Sequence, residues 1–205
     1  MNPDGDEGAG HYFDASPTTT SATRQVTIGL VDPPLLMATD RGVFSHGRLD
    51  AGTEFLLRQA PPPRPSGVLL DVGCGSGALA LTMARRSPAA HVVAIDVNER
   101  ARALCKQNAI SNGVSNVEVL APGEVDPSMR FDVIWSNPPI RVGKPALHAL
   151  LLRWLERLAF DGTAILVVHK HLGSDSLQRW LTEQGWPTAR IASSRGYRLL
   201  RVSSR

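Results

Sequence analysis

Asn137, Pro138, Pro139 and Ile140 follow one another at the end of an apolar run, Phe131-Asp132-Val133-Ile134-Trp135-Ser136. The Asn137 side-chain carbonyl and the Pro138 backbone carbonyl form a pair of acceptors, and neither proline contributes a competing backbone N–H. Such a pair suits a planar amino nitrogen. The lone pair of that nitrogen is delocalised and weakly nucleophilic. Acceptors on its two N–H groups favour pyramidalisation and aim the lone pair at an electrophile. The prolines stiffen the turn, so the acceptors are preorganised, and Ile140 supplies an apolar wall under a flat base. No dedicated general base accompanies them. Transfer from a strong electrophile, catalysed largely by alignment, is the chemistry expected.

A second motif suggests the electrophile. Asp71-Val72-Gly73-Cys74-Gly75-Ser76-Gly77 closes an earlier apolar run. Gly73, Gly75 and Gly77 let the backbone turn sharply and approach a ligand, and the following helix points its N-terminal amides at the same place. The acidic opening separates this pattern from the phosphate-binding Gly-x-Gly-x-x-Gly. A carboxylate at Asp71 repels a pyrophosphate but suits the ammonium of a methionine moiety. The next strand ends at Asp96-Val97, where a carboxylate can accept from both ribose hydroxyls. Asp71, Gly73, Cys74, Gly75, Gly77, Asp96 and Val97 thus point to S-adenosylmethionine (SAM), with S-adenosylhomocysteine as its product, in preference to NAD. Asn137 lies between this cofactor and the target. A structural tight turn for the glycines, and a dipole-favoured helix acid for Asp96, are the plainer alternatives.

The elements needed to position these motifs are legible. Strands are expected at 68–72, 91–96, 117–120, 131–136 and 164–169, and helices at 78–86, 99–112, 145–159 and 175–184. Two final strands, 188–193 and 197–202, are joined by the tight Ser194-Arg195-Gly196 link and form an antiparallel hairpin. Alternating strands and helices imply a Rossmann-like α/β fold, a seven-stranded doubly wound sheet with an antiparallel C-terminal strand, of the kind used by class I SAM-dependent methyltransferases. Its ligand site lies beyond the carboxyl ends of the strands, where the strand order reverses. Upstream, residues 24–31 alternate polar and apolar side chains as a half-buried strand, and 35–39 return. A short helix, 51–60, follows with Asp50 as its cap. The expected organisation is a disordered tail at 1–10, a β/α extension capping the cofactor site at 11–62, and the catalytic domain at 63–205.

Composition narrows the class. The chain has 205 residues, 42% apolar and 20% charged, and no run approaches the roughly 18–20 apolar residues of a membrane span. The acidic, glycine-rich start has no signal-peptide core, so a soluble cytoplasmic protein is expected, with no membrane partner. Cys74 and Cys105 suggest neither a disulfide framework nor a zinc site. His148, His169 and His171 have no acidic cluster beside them, so no metal is expected. The net charge of +3 is uneven: residues 141–205 carry eleven Lys/Arg against four Asp/Glu. That balance suits RNA, or simply a solvated basic surface. Nothing marks a self-association face, so a monomer is expected.

The sequence resembles the methyltransferase small domain (MTS) family, in particular the compact single-domain relatives of the RsmC-type enzymes that methylate guanine N2 in small-subunit ribosomal RNA. Four segments carry the likeness: Gly42-Val43-Phe44-Ser45 continuing through Arg48-Leu49-Asp50-Ala51-Gly52-Thr53; Asp71 to Gly77; Ser136-Asn137-Pro138-Pro139-Ile140-Arg141 with Gly143-Lys144; and Gly196-Tyr197-Arg198. The resemblance implies that Phe44 and the segment 50–53 fold over the SAM site, with Thr53 close to the cofactor. It also implies that Arg141 and Lys144 grip phosphates beside the target base; solvated loop charges are the alternative. An acidic residue that usually follows the third strand, near the adenine amino group, is replaced here by Ala121-Pro122-Gly123-Glu124. The implied function is N2 methylation of a guanine in RNA, with ribosomal RNA or the small ribosomal subunit as partner. Methylation of a protein glutamine amide or of an adenine amino group uses a related motif, but with an aromatic residue where Ile140 stands. A non-enzymatic SAM- or RNA-binding role is the remaining alternative.

Overall fold

The computed structural model describes residues 23–40, 43, 47–139 and 142–205, Leu172 by its backbone alone. The tail at 1–10, Phe44, Ile140 and Arg141 lie outside the described residues. In chain order the elements are β1 (Arg24–Ile28), β2 (Leu35–Thr39), α1 (Ala51–Gln59), β3 (Ser66–Val72), α2 (Ala78–Arg86), β4 (Ala89–Ile95), α3 (Glu99–Ser111), β5 (Val117–Leu120), β6 (Phe131–Ser136), α4 (Lys144–Leu155), β7 (Leu158–His169), α5 (Ser174–Glu183), β8 (Thr188–Ser194) and β9 (Tyr197–Ser203).

Seven strands form one sheet in the order β5-β4-β3-β6-β7-β9-β8. β3 pairs in parallel with β4 on one side and β6 on the other, and β9 runs antiparallel between β7 and β8. The order reverses between β3 and β6, so a crevice opens where those two strands end. Adjacent strand residues serve opposite faces, as the two-residue period dictates. Leu69, Val92, Ala94, Val133 and Trp135 join one apolar core with α2, and Leu70, Val93, Ile95, Ile134 and Leu166 join a second with α4 and α5. The result is a three-layer α/β/α sandwich. β1 and β2 form a separate antiparallel hairpin whose Ile28, Leu35 and Met37 enter the first core.

Three expected boundaries move by three residues or more. β1 stops at Ile28, because a turn begins at Gly29. α4 stops at Leu155, and β7 begins at Leu158 rather than at Ala164. The cause is local. Arg157 N–H closes a turn onto the Trp154 carbonyl, and Phe131 N–H then bonds to the Arg157 carbonyl, drawing Leu158 alongside β6. Asp161, at φ 61°, and Gly162 kink the strand before pairing resumes at Thr163. A Cβ on Gly162 would stand 2.8 Å from the Ala159 and Phe131 carbonyl oxygens. What reads in sequence as a helix-to-strand loop is a bend inside one long strand.

Candidate active site

Val72 and Ser136 are register partners on β3 and β6, so Gly73 and Asn137 leave the sheet side by side. The Ser136 hydroxyl donates to the Val72 carbonyl at 2.7 Å and ties the two strand ends together. The glycine turn and the Asn-Pro-Pro turn thus share one crevice because their strands are neighbours, although α2, β4, α3 and β5 separate those strands in sequence.

The turn after β3 is anchored from below. Gly73 and Cys74 N–H both donate to the Ile95 carbonyl at 2.9 Å. Gly73, Gly75 and Gly77 have φ of 79°, 52° and 95°, a region that side chains rarely adopt. Gly77 is the N-cap of α2, and a Cβ there would stand 2.7 Å from the Cys105 sulfur. Asp96 Oδ2 accepts from Gly75 N–H and Oδ1 from Asn98 N–H, each at 2.9 Å, so this carboxylate links the turn to the end of β4. Burial raises its pKa, opposed by those two N–H groups and by Arg102. Asp71 is fully buried. Its Oδ2 accepts from Ala80 N–H at 2.9 Å, and its Oδ1 has no hydrogen-bond partner among the described residues. Burial pushes its pKa up to about 8.

A solvent-open cleft of roughly 530 Å³ lies above this turn. Gly73, Cys74, Gly75 and Ser76 form its floor, Val26, Ile28, Met37 and Thr39 of the hairpin form one wall, and Arg48, Leu49, Asp50, Thr53 and Asn137 form the other side. A contact with Cys105, together with burial, pushes the Cys74 thiol well up, so Cys74 is a small neutral lining group rather than a nucleophile.

Asn137 is held from α1. Its Nδ2 donates to Asp50 Oδ1 at 2.7 Å and to Thr53 Oγ1 at 3.1 Å. Asp50 also caps α1, accepting from Thr53 N–H at 3.0 Å. Behind this turn lies Tyr197 of β9: a Cβ on Gly52 would meet its ring at 2.9 Å. Burial, and secondarily the Asp50 charge, raises the Tyr197 pKa, so the ring packs as a neutral phenol.

The structure therefore brings Thr53, Gly73, Cys74, Gly75 and Asn137 to one surface. Asp71, Asp96 and Gly77 lie beneath it, shaping the turn from below rather than lining the cleft. Pro138 is buried and Pro139 half-buried; the Pro139 carbonyl accepts from Val142 N–H at 3.3 Å. Lys144 opens α4 and is exposed, and Val97 follows β4. Sequence reasoning missed Arg48 as a lining cation, and Asn108. Asn108 is buried on α3 and donates to the carbonyls of Ala38 and Ser76. The signal for it was present: Asn108 and Asn112 are a polar i,i+4 pair on the face of a helix that packs inward.

The donor set fits SAM. An apolar wall, a glycine floor and, among the described residues, one lining cation beside the Asp50 carboxylate match a ligand that joins a heterocycle to a zwitterion. A pyrophosphate would face that carboxylate with the buried Asp96 beneath the turn.

The methyltransferase small domain family matches this chain over residues 34–201. The uncharacterized protein YbxB of Bacillus subtilis (strain 168) is 32% identical over 195 residues, covering 94% of this chain and 97% of its own. Ribosomal RNA small subunit methyltransferase C of Pseudomonas syringae pv. tomato is 41% identical over 159 residues, 76% of this chain and 48% of its own. The T. thermophilus 16S rRNA N2 methyltransferase (RsmC), solved with AdoMet and guanosine, superposes with a TM-score of 0.73 at 25% identity, over 92% of this chain and 52% of its own. This chain spans about half the length of the latter two proteins.

Proposed function

Because the chain belongs to the methyltransferase small domain family, we propose that it transfers a methyl group from SAM to the exocyclic N2 of a guanine in RNA, specifically in small-subunit ribosomal RNA. The observation that carries this reading is the Asn137 amide, placed beside the glycine turn with its nitrogen fully engaged by α1 and its oxygen left for a substrate N–H. The named relatives that act on 16S or small-subunit ribosomal RNA support the substrate class.

SAM, when bound, supplies a methyl group on a sulfonium sulfur. The residues of this chain do the remainder. Gly73 to Ser76 and Thr53 hold the cofactor, and Asp96 and Asp71 act through the turn they brace. Asn137 Oδ1 and the Pro138 carbonyl accept from the two N–H groups of the guanine amine, directing its lone pair toward the methyl. The nitrogen–carbon bond forms as the carbon–sulfur bond breaks, and the displaced amino proton passes to solvent. Ile140 and Phe44 cover the base, while Arg141 and Lys144 hold flanking phosphates. Recognition of RNA draws on these residues and on the basic C-terminal half, where residues 141–205 carry eleven Lys/Arg against four Asp/Glu.

The test is methyl transfer from labelled SAM to unmethylated small ribosomal subunits, free ribosomal RNA and total protein, with the nucleosides identified by mass spectrometry. Label in N2-methylguanosine that vanishes in Asn137→Ala is the expected result. Label in protein or in N6-methyladenosine would overturn the guanine assignment.

A further inference from the structure

We infer that Asp50 is a positioning residue for methyl transfer: its carboxylate fixes which way the Asn137 amide faces. The inference rests on the function proposed above.

An asparagine amide has two nearly isosteric ends with opposite roles, an oxygen that accepts and a nitrogen that donates. The oxygen end can receive the N–H of a target amine. A flipped amide would set two donors against that amine and oppose the reaction. Proline stiffness does not choose between these orientations, because rotation about the last side-chain bond leaves the backbone unchanged. The choice is made by what stands behind the amide.

At 2.7 Å from Asn137 Nδ2 stands Asp50 Oδ1. An ionised carboxylate is an acceptor only. A flipped amide would place its oxygen against that carboxylate and exchange a charge-assisted hydrogen bond for repulsion. The second N–H of Asn137 donates to Thr53 Oγ1 at 3.1 Å, so both donor hydrogens are used. Asn137 Oδ1 has no hydrogen bond among the described residues, and Asn137 lines the cleft.

Asp50 is itself immobilised. The oxygen that receives Asn137 also receives Thr53 N–H at 3.0 Å, which anchors it to the first turn of α1. Gly52 allows Tyr197 to press against that turn: a Cβ at Gly52 would stand 2.9 Å from Tyr197 Cε1 and 3.0 Å from Asp50 Oδ1. His169 meets the Tyr197 ring edge-on, with centroids 4.8 Å apart. The Gly196-Tyr197-Arg198 motif, for which the proposed reaction has no direct use, thus becomes the outer support of the catalytic amide.

The test compares Asp50→Ser, Asn137→Asp and the double variant Asp50→Asn/Asn137→Asp, in the full chain at saturating SAM with unmethylated small ribosomal subunits. Serine preserves the helix cap but is too short to reach Asn137. We expect kcat for Asp50→Ser to fall on the order of 100-fold, the scale of losing one preorganised polar group, with KM for the subunit changed by less than about 3-fold and an unaltered melting temperature. Asn137→Asp sets two carboxylates face to face and is inactive. In the double variant, the amide at position 50 turns its nitrogen to the carboxylate at position 137, giving up the Thr53 N–H bond of the helix cap, and the outer oxygen of that carboxylate again accepts from the amine. Recovery of at least about 10-fold over Asn137→Asp is expected. Wild-type kcat in Asp50→Ser, or a double variant no better than Asn137→Asp, would overturn the inference.

Should the wild-type enzyme methylate no guanine, the function proposed above fails, and the orientation is still decided by NMR. The Asn137 side-chain amide signal, assigned by its loss in Asn137→Asp, is then expected to move upfield and exchange faster with solvent in Asp50→Ser. An unmoved signal would dismiss the role of Asp50.

Discussion

Asn108 and Asn112, one turn apart on α3, clamp β2 as a neighbouring strand would. The Asn108 amide accepts from Ala38 N–H at 2.8 Å and donates to the Ala38 carbonyl at 2.9 Å; Asn112 does the same for Leu36. The edge of β2 away from β1 is thereby satisfied without a strand. Asn108 goes further, because its second N–H donates to the Ser76 carbonyl in the glycine turn at 2.9 Å. One buried side chain joins the wall of the cleft to its floor.

Asn108→Ala leaves Ala38 and Ser76 with unmet backbone groups, each costing about 1–3 kcal/mol where it is buried. The expected result is a clear loss of stability in urea unfolding together with a weaker SAM affinity in calorimetry. Asn112→Ala, with its Leu36 bonds exposed, should cost less and leave SAM affinity unchanged. Equal effects of the two variants on SAM binding would remove the coupling between hairpin and turn.

Gly52→Ala drives a methyl group into Tyr197 and Asp50. Overpacking of this kind costs about 1–3 kcal/mol. The penalty depends on the ring, so a double-mutant cycle with Tyr197→Ala should show coupling of at least about 1 kcal/mol. Additive unfolding energies would mean that the ring does not support the turn.

Asp71 gives the fold a pH dependence whose sign follows from burial. Its carboxyl keeps a proton up to about pH 8 when folded, against 3.8 as the ordinary value. Between those limits the folded chain binds more protons than the unfolded chain, so stability falls as pH rises. The contribution of this group is complete below about pH 4 and is lost on passing pH 8, by an amount on the order of a few kcal/mol. Urea unfolding at pH 5 and pH 8 measures it, and Asp71→Asn should flatten the difference. A slope identical to wild type would place the proton elsewhere.

Lys144 stands exposed at the first turn of α4, just beyond the Asn-Pro-Pro turn. If it meets an RNA phosphate, Lys144→Gln should weaken RNA binding and lower the slope of log affinity against log salt by about one. An unchanged slope returns it to a solvated helix end.

The parts of this molecule that were legible in sequence are those that obey local rules. Short apolar runs exposed the strands of the sheet, and a two-residue period exposed β1. Asp50 was readable as a helix cap and the odd-spaced glycines as a turn, because each follows from backbone chemistry within a few residues. The place of the site, beyond the carboxyl ends of the strands, followed from the doubly wound pattern. What was not legible depends on distant partners. Nothing near Asp50 in the chain announces that it grips Asn137, 87 positions away, and nothing near Asn108 announces Ala38. The boundary between α4 and β7 was misplaced because Leu158 to Phe160 continue an apolar pattern that suits a helix, and pairing with β6 overrode it.

Arg48 is the cation among the described residues that line the cleft, and it stands two positions before Asp50. SAM carries one carboxylate, and no other described lining side chain opposes that charge. We expect Arg48→Met to weaken SAM binding by about 10-fold, the size of one charge-assisted hydrogen bond at a partly solvated site. The loss should be confined to ligands that carry the carboxylate. Decarboxylated SAM retains the sulfonium, the ammonium and the adenosine, so wild type and Arg48→Met should bind it with closely matched affinities. Calorimetry with both ligands on both proteins gives the four values needed. Equal losses for SAM and decarboxylated SAM would show that Arg48 shapes the cleft rather than holding the carboxylate, and would leave the backbone of the glycine turn as the partner of that group.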